Sequence, residues 1–326
     1  MSDWRYVFAQ NRATLLAFVF FAAMFAIYSG NHPAGFSANV VQTAANKGAL
    51  LALVAMAQTF VVITAGIDLS VGSVFVLSNC LASSIVVGSA FSATLGVVGV
   101  LAAGLLCGAI NGLIVIVGRL QPIVTTIATG AVFFGLALAL RPTPGGDVYG
   151  PLADALTGRI LGVVPASLAA LALIVLIVWI PYSRSAVGRA AYAVGSSEQA
   201  AYMSGVPVDR AKFWAYALSG LAAAMGGLFL TFVTYSGEAS AATGGSYTLY
   251  SIAAVVLGGV SLYGGSGSAI GAIFGALMFR TIGDLLFVFN LDPLWQPLFQ
   301  GLVLLAAVSI GAARLFQVRN RLELFP

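Results

Sequence analysis

PYSRSAVGRAAYAVGSSEQAAYMSGVPVDRAK, running from Pro181 to Lys212, is the longest clearly polar passage in a chain that is otherwise almost entirely apolar. Arg184, Arg189, Arg210 and Lys212 sit in it with Glu198 and Asp209, between an apolar run ending at Ile180 and another beginning near Phe213. That placement predicts a solvent-facing loop. Within it, Glu198 to Gly205 is compatible with a short helix, Ser196 or Ser197 can cap its start, and Gly205 followed by Pro207 closes it.

Outward from this passage, composition decides the class. The chain has 326 residues, 60% hydrophobic and only 7% charged, with a mean hydropathy of +1.02. A water-soluble globule is excluded at these values. The apolar runs are about 20 residues long, the length a helix needs to cross a hydrocarbon core of about 30 Å. Alternating strands with one polar face are nowhere visible, so a membrane β-barrel does not fit. The fold expected is therefore all-α, a polytopic membrane protein of about ten transmembrane helices in one domain covering residues 1–326. Residues 181–212 form a loop within that domain.

In chain order, Arg5 and Arg12 precede a run from Ala13 to Tyr28, read as a retained first helix rather than a cleaved signal peptide. The following spans are expected near Val40 to Ala65, Ser70 to Gly88, Phe91 to Val117, Ile123 to Leu140 and Ile160 to Ile180. Four more are expected at Phe213 to Tyr235, Tyr247 to Leu262, Ala269 to Val288 and Leu294 to Ala313. An even number of spans puts both ends on one side. That side collects Arg5, Arg12, Arg119, Arg184, Arg189, Arg210, Lys212, Arg314, Arg319 and Arg321; the other collects Lys47, Arg141 and Arg159. By the positive-inside rule, the quoted loop and both termini are cytoplasmic. The net charge of +4 is thus a topology signal and not a sign of nucleic-acid binding.

Glycines at Gly96, Gly99, Gly104, Gly108 and Gly112 predict closely packed helices, because small residues let backbones approach in lipid. GAING (Gly108 to Gly112) recurs as GAIFG (Gly271 to Gly275), a hint of internal repetition.

Chemistry-bearing residues are few. Neither lysine, Lys47 or Lys212, follows the glycine pattern of a phosphate-binding loop, and no catalytic constellation is visible, so an enzyme is not expected. Cys80 and Cys107 lie in apolar runs and His32 stands alone in a loop, which argues against a disulfide or metal site. Ionisable groups within or near the spans are Lys47, Asp68, Arg280 and Asp284. Such groups are costly in hydrocarbon and become functional candidates. Arg280 and Asp284 stand four apart on one helix and are expected to pair. Asp68 is placed either to cap the next helix or to gate. Gln58, Asn79, Asn111, Thr125, Thr126 and Thr129 are neutral polar residues inside spans, either interhelical bonds or the lining of a passage.

Three blocks carry a family resemblance: ITAGIDLSVGS (Ile63 to Ser73), the passage from Tyr192 to Gly220, and SIAAVVLGGVSLYGGSGSAIGAIFGAL (Ser251 to Leu277). Together they resemble the permease subunit of bacterial ABC importers of the ribose/xylose/galactose type, over nearly the full chain. The resemblance implies a vitamin B12-permease-like (type II) importer fold in the inner membrane. It also implies a second permease, two cytoplasmic ATPase subunits carrying ATP and Mg, and a periplasmic substrate-binding protein. It assigns Glu198, Ala200, Ala201 and Gly205 to ATPase docking, and Gly66, Asp68, Leu69, Ser70 and Gly72 to the family signature; Ala200, Ala201 and Ser204 form a small-residue face at helical spacing that would let an ATPase surface approach closely. Two departures, Tyr247-Thr248-Leu249-Tyr250 without acids and Gln121-Pro122 after Leu120, leave a homodimer and a heterodimer both open. The neutral polar residues favour a sugar or polyol as cargo over an amino acid; nucleosides and branched-chain amino acids, carried by related permeases, are the alternatives. An ion-coupled transporter would have to rely on Asp68 and Asp284 alone.

Overall fold

The computed structural model describes residues 3–306 and Ser309. The basic tail residues Arg314, Arg319 and Arg321, and the end of the expected last span, lie outside them.

Seven helices are long and apolar enough to cross a membrane. They are α1 (Asp3–Asn31), α2 (Ala38–Val62), α4 (Ala90–Val117), α5 (Pro122–Leu140), α7 (Ala166–Arg184), α10 (Val208–Thr234) and α12 (Ala269–Val288). Three shorter apolar helices accompany them: α3 (Val71–Ile85), α11 (Ala241–Leu257) and α13 (Gln296–Ala306). The remaining helices lie between spans: α6 (Gly150–Thr157), α8 (Ala186–Ser196) and α9 (Glu198–Met203).

The bundle is built around α2. Its most apolar window is 89% buried, whereas those of α5 and α7 are 28% buried. It packs against α10, α11 and α12, and α10 in turn packs against α3 and α4. A helix apolar all round belongs in the middle of such an assembly. The outer helices turn large apolar side chains outward, Val98, Leu136 and Ile177 among them. Bilayer lipid is the solvent for such a surface.

Glycine sets the distances. A Cβ on Gly108 would fall 2.1 Å from the Tyr216 carbonyl oxygen, and one on Gly220 would fall 2.1 Å from that of Gly104, so α4 and α10 touch backbone to backbone. The recurring GAIFG does the same for α12, where a Cβ on Gly275 would lie 2.1 Å from the Ala254 carbonyl of α11. The echo in the sequence marks two tight seams between helix pairs.

Several boundaries differ from expectation. Ile160 does not begin a span: Arg159–Ile160 (β1) pairs antiparallel with Val164–Pro165 (β2), and α7 starts only at Ala166. Pro165, which donates no N–H, stands at the helix entrance. The eighth apolar helix begins earlier, at Ala241, because Ser240 caps it by accepting the Thr243 N–H. Near its end α7 widens into a π turn over Val175–Trp179. Pro181 explains this: its ring displaces the carbonyl of residue 177 and offers no N–H in return.

The end opposite α9 is tied by loops. Gly145 and Gly237 exchange two backbone hydrogen bonds at 3.0 and 2.8 Å. Arg141 Nη2 donates to the Ser83 carbonyl at 2.9 Å.

Candidate functional site

The quoted loop is less exposed than its charge implies. Pro181 to Arg184 completes α7, and α8 buries Gly188, Ala190, Ala191, Val194 and Gly195 against the bundle. Only α9 stands out. Ser197 caps it, accepting the Ala200 N–H at 3.3 Å. At the other end Gly205 takes φ +74°, and Val206 N–H returns to the Ala201 carbonyl at 3.0 Å, closing the helix in a Schellman-type turn. Lys212 Nζ bonds Glu198 Oε1 at 2.6 Å and fixes α9 to the first turn of α10.

Within α9 the expected small-residue face is redrawn. Ala201 is 5% exposed and points into the bundle, while Ala200, Ser204 and Gly205 face out. The outward surface is dominated by Tyr202 and Met203, 73% and 80% exposed. Sequence reasoning passed over both, although the apolar pair at the end of an otherwise small, polar segment was visible. Large apolar side chains so exposed on a capped polar-flanked helix make α9 a candidate contact surface.

The signature block lies just beneath. Asp68 is 2% exposed and has no cationic partner among the described residues. Its Oδ1 accepts the Ser70 N–H at 2.9 Å and the Ser70 hydroxyl at 2.6 Å; its Oδ2 accepts the Ser219 hydroxyl at 3.1 Å. Asn111 Nδ2 donates to Ser70 Oγ at 2.7 Å. The carboxylate thus joins α10 and α4 to the start of α3. It does not cap α3: the N-cap position belongs to Ser70, and Asp68 holds an Asx turn two residues earlier. The neighbouring positions continue the stitching. Leu69 N–H donates to Thr126 Oγ1 at 2.9 Å, and Gly72 N–H donates to Thr248 Oγ1 at 3.1 Å. At Gly66 a Cβ would press on the Tyr216 hydroxyl at 2.9 Å. The bonding roles of Ser219 and Thr248 and the packing role of Tyr216 were not legible in the sequence because their partners are far away along the chain.

Asp68→Ala leaves the Ser70 N–H and two hydroxyls without their acceptor, at about 1–3 kcal/mol for each group left unpaired in the interior. Its melting temperature in detergent should fall by many degrees. Asp68→Asn keeps one acceptor oxygen, so its melting temperature should fall by less than that of Asp68→Ala. Equal losses in the two variants would show that the remaining oxygen ties nothing.

Of the other neutral polar residues, Asn79 and Thr129 are bonded inside the bundle, whereas Gln58 and Thr125 are not. Asn79 Nδ2 donates to Thr231 Oγ1 at 2.9 Å and to the Ser236 carbonyl at 3.1 Å, and its Oδ1 accepts the Glu238 N–H at 2.9 Å. Thr129 donates to the Thr125 carbonyl at 3.1 Å. Gln58 is fully buried and neither side-chain polar atom has a partner; the Thr125 hydroxyl is likewise unpaired.

The expected Arg280–Asp284 pair is not formed. Asp284 meets Lys47 Nζ of α2 at 3.5 Å, so contact between helices prevails over spacing along one helix.

One junction links α9 to the signature block. A Cβ on Gly195, three residues before α9, would fall 1.9 Å from the Ile63 carbonyl oxygen and 2.5 Å from the Gly265 nitrogen. Those two atoms already share a hydrogen bond of 3.0 Å. Three backbones, from the end of α2, the end of α8 and the loop before α12, therefore meet without an intervening side chain.

The architecture, seven long apolar helices and a capped helix projecting from one end, is consistent with a multi-pass membrane permease. Residues 40–308 match the family described as branched-chain amino acid transport system / permease component. The chain belongs to that family. It is 38% identical over 267 residues to the ribose import permease of Bacillus subtilis, covering 80% of this chain and 81% of the relative. Against the ribose import permease of Escherichia coli K12 the identity is 33% over 295 residues, 88% and 90% of the two chains. Against the fructose import permease of Rhizobium meliloti it is 34% over 283 residues, 84% and 78%. No solved structure matches significantly.

Proposed function

We propose that this chain is the permease subunit of an ATP-binding-cassette importer that passes a monosaccharide or similar polyol across the bacterial inner membrane. The observation that carries the reading is α9, a helix fixed at both ends and offering Tyr202 and Met203 to a partner. The partner in this reading is a cytoplasmic ATPase subunit, which holds ATP and Mg; this chain supplies no phosphate-binding loop of its own. The cargo class follows the ribose and fructose relatives. A periplasmic binding protein delivers it to the opposite end.

Seven long and three shorter apolar helices supply ten candidate spans, in support of a type II importer arrangement around α2 with both termini cytoplasmic. Arg119, Arg184, Arg189, Arg210 and Lys212 belong to the α9 end and Lys47, Arg141 and Arg159 to the other, which supports the same orientation. Asn79, Asn111, Thr126 and Thr129 are held by bonds inside the bundle, so we place the passage between this chain and a second permease, identical or not. ATP-driven closure of the docked ATPases would then shift α9, and the Gly195 junction would carry the displacement to the Asp68 loop.

The test is uptake into proteoliposomes containing this chain, its ATPase and its binding protein, with labelled ribose, fructose, leucine and adenosine offered in parallel. ATP-dependent uptake of a monosaccharide alone is expected. Uptake of leucine or adenosine without sugar would overturn the cargo, and uptake without ATP would overturn the mechanism.

A further inference from the structure

Arg280 lies two turns inside the outer end of α12, about 12 Å along the helix, and its guanidinium has no hydrogen bond or ion pair with any described residue. Its Nε is completely buried. A cation left so in hydrocarbon is costly and requires an acceptor. Beside it opens a groove of about 570 Å³ between α1, α2, α7 and α12. Phe25, Ala45, Ala172, Leu176 and Leu277 line its walls; Arg280, Thr281 and Asp284 stand at one end, where Lys47 pairs with Asp284.

The walls run along α12 from Ile270 to Asp284, about 21 Å at 1.5 Å per residue. One leaflet's acyl chains reach about 15 Å, half the hydrocarbon core. The groove is long enough for a single acyl chain with room left at its polar end, its walls match such a chain in polarity, and its flank is bilayer-facing: Leu173, Leu176 and Ile177 of α7 are each more than half exposed. A sugar would leave its hydroxyls unpaired against these walls. At the polar end two cations face one carboxylate, so a net positive charge remains. Lys47, with 43% of its side chain exposed, can extend its ammonium toward the membrane surface.

We propose that this groove is a binding site for one anionic phospholipid of the leaflet opposite α9. Its acyl chain lies along α12, its ester oxygens accept from Arg280, and its phosphate meets Lys47. The inference rests on the membrane reading but not on the cargo or the ATPase.

Native mass spectrometry of the whole protein, delipidated in detergent and titrated with phosphatidylglycerol, phosphatidylcholine or inorganic phosphate, tests it. Wild type should bind one phosphatidylglycerol at least tenfold more tightly than phosphatidylcholine and melt at a higher temperature with it. Arg280→Gln and Lys47→Gln should each weaken that binding about tenfold. Ala172→Phe, which fills an exposed wall position and leaves both cations, should weaken it as much. Equal binding of the two lipids, equal protection by inorganic phosphate, or unchanged lipid retention in Arg280→Gln and Ala172→Phe would overturn the proposal. So would disulfide-linked dimers of Ala172→Cys in native membranes, which would put a second copy in the groove.

Discussion

Tyr202→Asp combined with Met203→Asp is expected to abolish co-purification of the proposed partner ATPase while leaving the yield and melting temperature of the permease unchanged. Both side chains are largely exposed, 73% and 80%, so replacing them removes little packing within this chain. Anchors of this kind contribute about 2 kcal/mol each or more at an interface, and losing both lowers affinity by roughly a thousandfold. Changes at neighbouring positions are less clean. Ala201→Glu would force a carboxylate into the bundle, and Gly205→Arg would put a side chain at φ +74°, so either could disturb α9 itself. Intact ATPase binding by the double variant, measured by pull-down from membranes, would remove α9 from the docking role.

Gly195→Val should uncouple the proposed ATPase-docking end from transport. Its Cβ would need to occupy space 1.9 Å from the Ile63 carbonyl, and no flexible side chain is there to move aside. Overpacking at such a point costs about 1–3 kcal/mol in an adaptable core, and more where only backbone can yield. The docked ATPases should continue to hydrolyse ATP while uptake falls at least tenfold. Gly195→Ala should show the same defect in milder form. Normal uptake by Gly195→Val, with the protein present at wild-type level, would show that the junction transmits nothing.

The helical membrane class, most span boundaries and the capped α9 could be read directly from local signals. Apolar runs of span length, Ser197, Gly205 and the prolines act within a few residues of themselves. What could not be read depended on partners distant in sequence. Arg280 and Asp284 have ideal spacing for a pair, but Lys47 of α2 reaches Asp284 because the bundle brings those helices together. Ala201 resembled Ala200 in the sequence, and only the packing of α9 on the bundle separates the buried one from the exposed one. Asp68 had the spacing of a cap, but the hydroxyls of Ser70 and Ser219 turn its carboxylate into a tie among three helices.

The closed hydrogen bonding of Asn79 and Thr126 has an evolutionary consequence. If these side chains hold the protein together, they are poor material for changing what it carries. Preference among solutes would then drift through substitutions on the outward helix faces, where a new side chain disturbs no internal bond. Relatives with different cargoes could share one unaltered interior, and swapping those faces alone would exchange their diets.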